Sequence, residues 1–404
     1  MTRIKTTFPA ILLVVVALGA CRDKTTTSQP QQVTPRVETP RTHAELSIKE
    51  GGRWEGKKYK GGTFSNVTEF KVPDMHTDHS GYLRYEGPGW ENAQVGYRLY
   101  LDWRNAIDIF GKKVDTMVLH QVGQPDSPSY HDDAPWGLDI LKAGKSMGLG
   151  GFGRYWNDSV AHFEKVGSTR VKIVNDPDAS TVHIAYGDWI TGSDTIDLQA
   201  RLSIYPQDRF TLVELEPSTP ISGLSTGIVK FSDIPLHRKE SNEGNWGYIA
   251  TYGKQTLAGD DDLLGMALFY KKGEVAEIRG GSDDHLVVFK PTDQLSYYFL
   301  AAWQQGHTVR RGIHGRSGQQ IGNTGKQREA LILYRGNPIP LLFPPEPIQD
   351  LHGFHVLFGG TGIGSLSKKI GHAVAPIIGC WTYSRASNRK ISEPEFVFKV
   401  TISP

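Results

Sequence analysis

The chain has 404 residues and two cysteines, Cys21 and Cys380, so disulfides are not its means of stabilisation. It has no excess of either charge: 45 Lys and Arg stand against 43 Asp and Glu, a net charge of +2. That balance leaves no extended basic field, which argues against a nucleic-acid partner. Phosphate-cradling loops are missing too. No Gly-x-Gly-x-x-Gly follows a strand and opens a helix, and no Walker-type loop is present. Gly150-Gly151-Phe152-Gly153 reads as a turn-rich loop without the spacing or lysine of a phosphate site. There is no His-Glu-x-x-His and no cysteine pair, so the zinc signal is weak. Amphipathic helical stretches are scarce, Ile140 to Met147 being one short candidate. No repeat of 20 to 50 residues is visible, which disfavours a propeller.

What is present begins with an address. Arg3 and Lys5 precede an apolar run from Phe8 to Val16, closed by Leu18-Gly19-Ala20-Cys21. A charged start, a short apolar core and small residues before a break make a bacterial secretory signal, too short for a stable transmembrane helix. A Cys directly after Leu-Gly-Ala resembles a lipobox. Residues 1–21 are therefore expected to be a lipoprotein signal with Cys21 acylated, anchoring the protein to a bacterial membrane at the periplasm or cell surface. Arg22 to His43 is mostly Thr, Gln, Pro and Ser and reads as a disordered tether.

Strand signals dominate the remainder. Ile196 to Tyr205 alternates apolar and polar residues, the mark of a half-buried strand. Thr181–Tyr186, Phe210–Leu215, Leu264–Tyr270, His285–Phe289, Ser296–Trp303 and Ala330–Tyr334 are shorter candidates, punctuated by Gly, Asp, Asn and Pro. Residues 44–337 are expected to form a mainly β domain, a large antiparallel β-sandwich with long loops and few helices. From Pro338 the chain changes character, with Phe343-Pro344-Pro345-Glu346-Pro347 and Gly359-Gly360-Thr361-Gly362-Ile363-Gly364. Residues 338–404 read as an atypical C-terminal tail.

Two stretches carry the chemistry. Read as one strand, Tyr97 to Arg104 puts Tyr97, Leu99, Leu101 and Trp103 on one face and Arg98, Tyr100, Asp102 and Arg104 on the other. The second face equips a stiff platform to hold an anionic, hydroxyl-rich ligand; the plain alternative is a solvated sheet face. The other stretch is Tyr130-His131-Asp132-Asp133-Ala134-Pro135-Trp136-Gly137-Leu138-Asp139-Ile140-Leu141-Lys142. Trp136 in this Pro-containing segment suits a pocket wall, whereas Trp103 and Trp303 suit core. His76 and His79 flank Asp78, His131 precedes two carboxylates, and His285 follows Asp283-Asp284. General acid/base work suits these histidines better than metal ligation, since imidazole titrates near neutral pH. No cofactor is expected. Asp260-Asp261-Asp262 and Asp283-Asp284 offer oxygen ligands for calcium, but the twelve-residue calcium loop is absent and solvated acidic loops are the simpler reading.

His76-Thr77-Asp78-His79-Ser80, Arg84-Tyr85-Glu86-Gly87-Pro88-Gly89-Trp90-Glu91, Tyr97-Arg98-Leu99-Tyr100-Leu101-Asp102-Trp103-Arg104-Asn105 and Asp108-Ile109-Phe110-Gly111-Lys112-Lys113 resemble the bacterial domain-of-unknown-function family 4861. Tyr130-His131 and Trp136 to Lys142 fit the same family. The resemblance covers roughly Ala44 to Pro338 and is strongest in the first half; Gly306 to Lys326 and the tail depart from it. It implies a secreted carbohydrate-active β-sandwich, of the galactose-mutarotase or lyase supersandwich kind. It also implies a polysaccharide-utilisation setting for uronic-acid glycans, one relative being associated with oligosaccharide dehydration. The motifs do not carry over catalytic residues, so roles follow from chemistry.

Dehydration of a terminal uronic acid removes the C5 proton and expels the C4 hydroxyl. The carboxylate must be neutralised as charge develops on it, which suits Arg. Arg98 and Arg104 are candidates to hold it, His131 to act as base, and His79 or Tyr130 as acid. Asp102, Tyr100, Trp136, Lys142 and Lys113 are candidates for substrate binding. The expected partner is thus an oligosaccharide. Three rivals stand beside this lyase reading: a glycoside hydrolase using Asp102 and Asp139, a non-catalytic glycan-binding lipoprotein, and a mutarotase-like epimerase.

Overall fold

A computed structural model describes residues 41–206, 209–240, 245–307, 354–357 and 399–402. The protein is mainly β. Among the described residues the helical pieces are single 3-10 turns at Arg84–Glu86, Leu119–Gln121 and Lys272–Glu274, and no helix is long and apolar enough to cross a membrane. The strands expected over 181–186, 210–215, 264–270, 285–289 and 296–303 all form; the first runs on to Ser180–Thr191 and the others exceed their sequence patterns by one or two residues. Ala330–Tyr334, the signal segment and nearly all of the tail lie outside the described residues.

The largest sheet has nine antiparallel strands in the order Leu236–Glu240, Trp246–Gly253, Leu264–Lys271, Leu295–Trp303, Phe210–Pro217, Asp194–Ile204, Ser180–Thr191, Ser168–Asn175 and Glu69–Lys71. Alternation drives it: in Asp194–Ile204 the side chains of Ile196, Leu198, Ala200 and Leu202 are buried while Asp197, Gln199 and Arg201 face solvent. Two five-stranded sheets cover its apolar face. One runs Thr42–Glu45, Gly89–Asn92, Gly96–Leu99, Ile107–Lys112, Gly137–Asp139, and the other Ser159–Ala161, Leu149–Trp156, Leu224–Val229, Asp284–Phe289, Val275–Gly280. Hydrogen bonds tie the layers together. Trp90 Nε1 donates to Thr211 Oγ1 at 2.8 Å, the Ala301 amide donates to Tyr97 OH at 3.0 Å, and Tyr297 OH donates to the Gly150 carbonyl at 2.8 Å.

The first five-stranded sheet positions the site, because both of its faces are buried and they differ in kind. Trp90, Tyr97, Leu99, Ile107, Ile109 and Leu138 point into the sandwich core. Glu45, Glu91, Arg98, Asp108, Lys112 and Asp139 point the other way and are equally buried. Register aligns them: Arg98 sits directly opposite Asp108, and Asp139 opposite Phe110, two residues further along the strand. The segment between Lys112 and Gly137 folds over this polar face. Its Val118, Leu119 and Val122 are buried against Tyr85 and Phe110, with Tyr130 and Trp136 half-buried beside them.

Several local expectations fail for identifiable reasons. The strand from Tyr97 stops at Leu99, and Asp102 to Asn105 form a turn, with Asp102 Oδ1 accepting from the Arg104 amide at 2.9 Å and Asn105 at φ +49°. Ile140 to Met147 is irregular. Its amides bond to distant groups: Ile140 N donates to the Ile109 carbonyl at 3.0 Å and Met147 N to Asp284 Oδ1 at 3.0 Å. Gly150 to Gly153 lie within a strand and not in a loop. A Cβ on Gly150, at φ +74°, would come within 2.2 Å of the Phe299 ring, so glycine there permits close sheet packing. Thr42 and His43, assigned to the tether, belong to the first strand of the sheet.

Candidate functional site

Arg98 is the centre of the polar face. It is 1% exposed, and its terminal nitrogens donate to five protein oxygens. Nη2 reaches Asp139 Oδ2 at 2.6 Å, Tyr100 OH at 2.8 Å and Asp108 Oδ2 at 2.9 Å. Nη1 reaches Tyr130 OH at 3.1 Å and the Tyr85 carbonyl at 3.3 Å. Tyr100 OH in turn donates to Asp108 Oδ2 at 2.6 Å. On the outer side of Asp139, His131 Nδ1 lies 3.2 Å from Oδ2. The imidazole side chain is 54% exposed while the Asp139 side chain is 1% exposed, so the pair runs from solvent into the protein. The Tyr130 and His131 rings lie 4.3 Å apart.

A second cluster joins this one through Glu86. Glu86 Oε2 lies 3.8 Å from Arg98 Nη1, and Oε1 lies 3.6 Å from Arg104 Nη2 and accepts from the His79 amide at 3.1 Å. Arg104 stacks on Tyr100 at 4.1 Å, forks onto Asp102 and donates to Asp78 at 2.6 Å. His79 Nδ1 closes on Asp78. His79, Tyr85 and Glu86 all hold left-handed backbone, at φ +55°, +38° and +72°. Such conformations cost about 1–3 kcal/mol each and persist where surroundings over-determine them.

Burial and neighbouring charges set the protonation of the cluster. Burial, reinforced by the Asp139 carboxylate, pushes Asp108 up to about 7. Burial also raises Glu86, against the opposing pull of Arg98 and Arg104. The hydrogen bond to Asp139 raises His131 despite partial burial. Burial raises Tyr130. Burial would raise Asp78 as well, but Arg104 and His79 outweigh it and hold that carboxyl below its ordinary range. His76, bonded to Ser80 Oγ at 2.9 Å, is pushed down to about 4 by burial.

Of the residues singled out in the sequence, His131, Tyr130, Arg98, Tyr100, Asp102, Arg104 and His79 come together here. Arg98, however, is enclosed by protein oxygens and has no free terminal N–H to offer a substrate carboxylate; it acts on Asp139 and Tyr130 instead. Of three others, Lys113 and Lys142 lie elsewhere and Trp136 sits beside the cluster in the covering segment. Lys113 pairs with Asp133 and has its Nζ 5.9 Å from the Trp303 ring, on the strand face opposite Arg98. Lys142 is exposed in the irregular segment. Trp136 packs edge-on to Phe110 at 6.0 Å, so it supports the covering segment instead of lining an open wall. Trp303 is core, at 3% exposure, and Trp103 is half-buried against His162.

Sequence reasoning passed over Asp108 and Glu86. Parity along Ile107–Lys112 could have found Asp108, since it puts that residue on the face shared with Lys112. Nothing local marks Glu86, whose contacts are made through a backbone turn. Among the described residues, Asp78, His79 and Glu86 have metal-capable atoms within 4.8 Å of one another, but the Arg104 guanidinium already lies against both carboxylates. The acidic runs considered for calcium serve other contacts. Asp261 pairs with Lys254 at 2.5 Å, Asp262 accepts from Thr256 at 2.7 Å, and Asp284 holds the Met147 amide.

The family model described as domain of unknown function (DUF4861) matches residues 10–311. The chain belongs to this family. The DUF4861 match thus takes in both clusters, the sheet that carries them and the covering segment. No curated protein matches the chain in sequence. Among solved structures, one described as "Putative kojibiose phosphorylase from human microbiome" is similar at 10% identity and a TM-score of 0.29, over 53% of this chain and 30% of that chain. The similarity therefore spans less than a third of that structure's length.

Proposed function

We propose that the protein is a carbohydrate-active enzyme that acts by proton transfer on uronate-containing oligosaccharides, eliminating across C4 and C5. The observation that carries this reading is the His131–Asp139–Arg98 arrangement. A buried carboxylate fixed by a guanidinium accepts from Nδ1–H of an exposed imidazole, which leaves the Nε2 lone pair available to solvent. In the step, Nε2 takes the C5 proton, the C–H electrons form the C4–C5 double bond, and the C4–O bond breaks. Tyr130, whose oxygen accepts from Arg98 Nη1, donates its proton to the departing hydroxyl, which leaves as water.

Arg104 neutralises the substrate carboxylate. Its partner Asp78 is 39% exposed, so an incoming carboxylate can take that place on the guanidinium. A proton held by Asp108, whose carboxyl is pushed up to about 7, reduces the negative charge that would repel an anion. Burial weighs against hydrolysis by Asp102 and Asp139, since each side chain is 1% exposed and ion-paired with an arginine.

The test is incubation of purified protein with saturated uronate-terminated oligosaccharides. A product lighter by one water, with rising absorbance near the ultraviolet edge, supports elimination. New reducing ends without that absorbance mean hydrolysis, and binding without turnover means a glycan-binding module. The lipoprotein reading has its own test. Cys21→Ala is expected to move the protein from the membrane fraction to the soluble fraction, and unchanged fractionation rules the anchor out.

A further inference from the structure

We infer that Asp108 is a positioning residue for proton transfer at His131: it competes with Asp139 for the one guanidinium of Arg98, so that Asp108, Asp139 and His131 hold a single proton between them. This rests on the acid–base role proposed for His131, but it makes a claim about the resting protein that needs no substrate.

Donors are scarce around Arg98. Arg98 Nη2 has two N–H bonds and three acceptors in range: Asp139 at 2.6 Å, Tyr100 OH at 2.8 Å and Asp108 at 2.9 Å. Nη1 is spent on Tyr130 and the Tyr85 carbonyl, and Nε is buried without a partner. Tyr100 OH gives its proton to Asp108. Two carboxylates, each on a side chain 1% exposed, therefore share one cation, and Glu86 stands 3.8 Å from the other end of that cation. Net negative charge in such a place is costly, so the cluster takes up a proton.

Two sites can hold it. With the proton on His131, the imidazolium compensates Asp139 and Nη2 is left to Asp108. With the proton on Asp108, that carboxyl no longer competes, Nη2 goes to Asp139, and His131 is neutral. The raised His131 and the Asp108 carboxyl near 7 agree with this exchange. The groups facing Asp108 are Arg98, Tyr100 and Asp139; those facing His131 are Asp139 and Tyr130, with Arg98 and Asp108 behind them. The arrangement keeps both forms of His131 accessible near neutral pH, as a group that takes a proton and later returns it requires.

The experiment is an NMR titration of the His131 imidazole nitrogens in the full chain, without substrate. Wild type is expected to titrate in two steps, because the sites are coupled. Asp108→Asn keeps the side-chain shape and removes the charge. It should give one step, displaced downward by about 1 pH unit, the order expected for losing a nearby carboxylate. Tyr100→Phe is the second variant. It removes a hydrogen bond that stabilises ionised Asp108, so Asp108 should hold the proton more firmly and the main His131 step should move down. A single step at the same pH in wild type and both variants overturns the inference. A two-step titration without turnover of any uronate oligosaccharide keeps the shared proton and removes the proposed reaction. Turnover with an unshared His131 titration does the reverse.

Discussion

Two buried ion clusters lie on the same face of one sheet, and they are built differently. In the first, Lys112 Nζ donates to Glu91 Oε2 and to the Asn92 carbonyl, both at 2.5 Å, while Glu91 Oε1 accepts from the Val118 and Leu119 amides at 2.7 and 2.8 Å. One cation meets one carboxylate, both side chains are 0% exposed, and the carboxylate also anchors the covering segment. In the second, Arg98 meets two carboxylates, and the cluster ends at an imidazole that reaches solvent. Burying charge is therefore not what marks a site on this protein. Unequal charge and an open end are. In the balanced pair one ammonium offsets one carboxylate, whereas in the unbalanced cluster two carboxylates divide one guanidinium.

The comparison predicts different failures. The largest effect is expected from His131→Ala, which should lower turnover of a uronate oligosaccharide by about 10²–10⁴-fold with substrate affinity nearly intact. Steady-state kinetics beside a binding isotherm checks it, and wild-type turnover would move the base assignment to His79. Lys112→Met should instead cost about 3–5 kcal/mol of stability, because Glu91 is left buried and unpaired. Urea unfolding measures that loss. If the variant unfolds like wild type, or the folded fraction loses turnover as completely as His131→Ala, the two clusters do not divide structure from chemistry.

A smaller effect separates the clusters by pH. The folded chain holds Asp108 well above an ordinary carboxylate and His131 above an ordinary imidazole. Between the unfolded and folded values of each group the native state binds the extra proton, so stability falls as pH rises. Asp108 acts from the ordinary carboxylate range up to about 7, and His131 from the ordinary imidazole range upward. The slope is at most about 1.4 kcal/mol per pH unit for each proton. Between pH 5 and pH 7 the wild-type denaturation midpoint should therefore fall relative to that of Asp108→Asn, which lacks this contribution; equal slopes in the two proteins remove Asp108 as a source. The smallest effect is expected at Lys142, exposed and outside both clusters. Lys142→Ala should change stability by under about 0.5 kcal/mol and leave turnover unchanged. A kinetic defect there would restore the sequence-based place of Lys142 at the site.

Local pattern went far in this protein because strands write their parity directly into the chain. Ile196 to Tyr205 could be read as a half-buried strand, and Arg98 with Tyr100 as one polar face, from alternation alone. The same logic overran at Asp102 and Arg104, where parity ended with the strand at Leu99. Those two still reached the polar side, but through a turn and stacking on Tyr100. Lys113 and Lys142 failed for a related reason: residue type and neighbourhood in sequence carry no information about which side of a layer a side chain meets.

By itself the sequence determined a β protein of antiparallel strands, a polar strand face around Arg98, and the proximity of Tyr130 and His131 to carboxylates. Period-2 patterning and short-range covalent spacing are enough for these. Only the tertiary structure decided that this polar face is buried, that Asp108 and Asp139 share one arginine, and that Glu86 bridges Arg98 to Arg104. Those outcomes depend on register between strands and on a segment folding over the sheet from outside it. Burial then converts an ordinary carboxylate such as Asp108 into one that can hold a proton near pH 7, a property of its surroundings and not of its residue type.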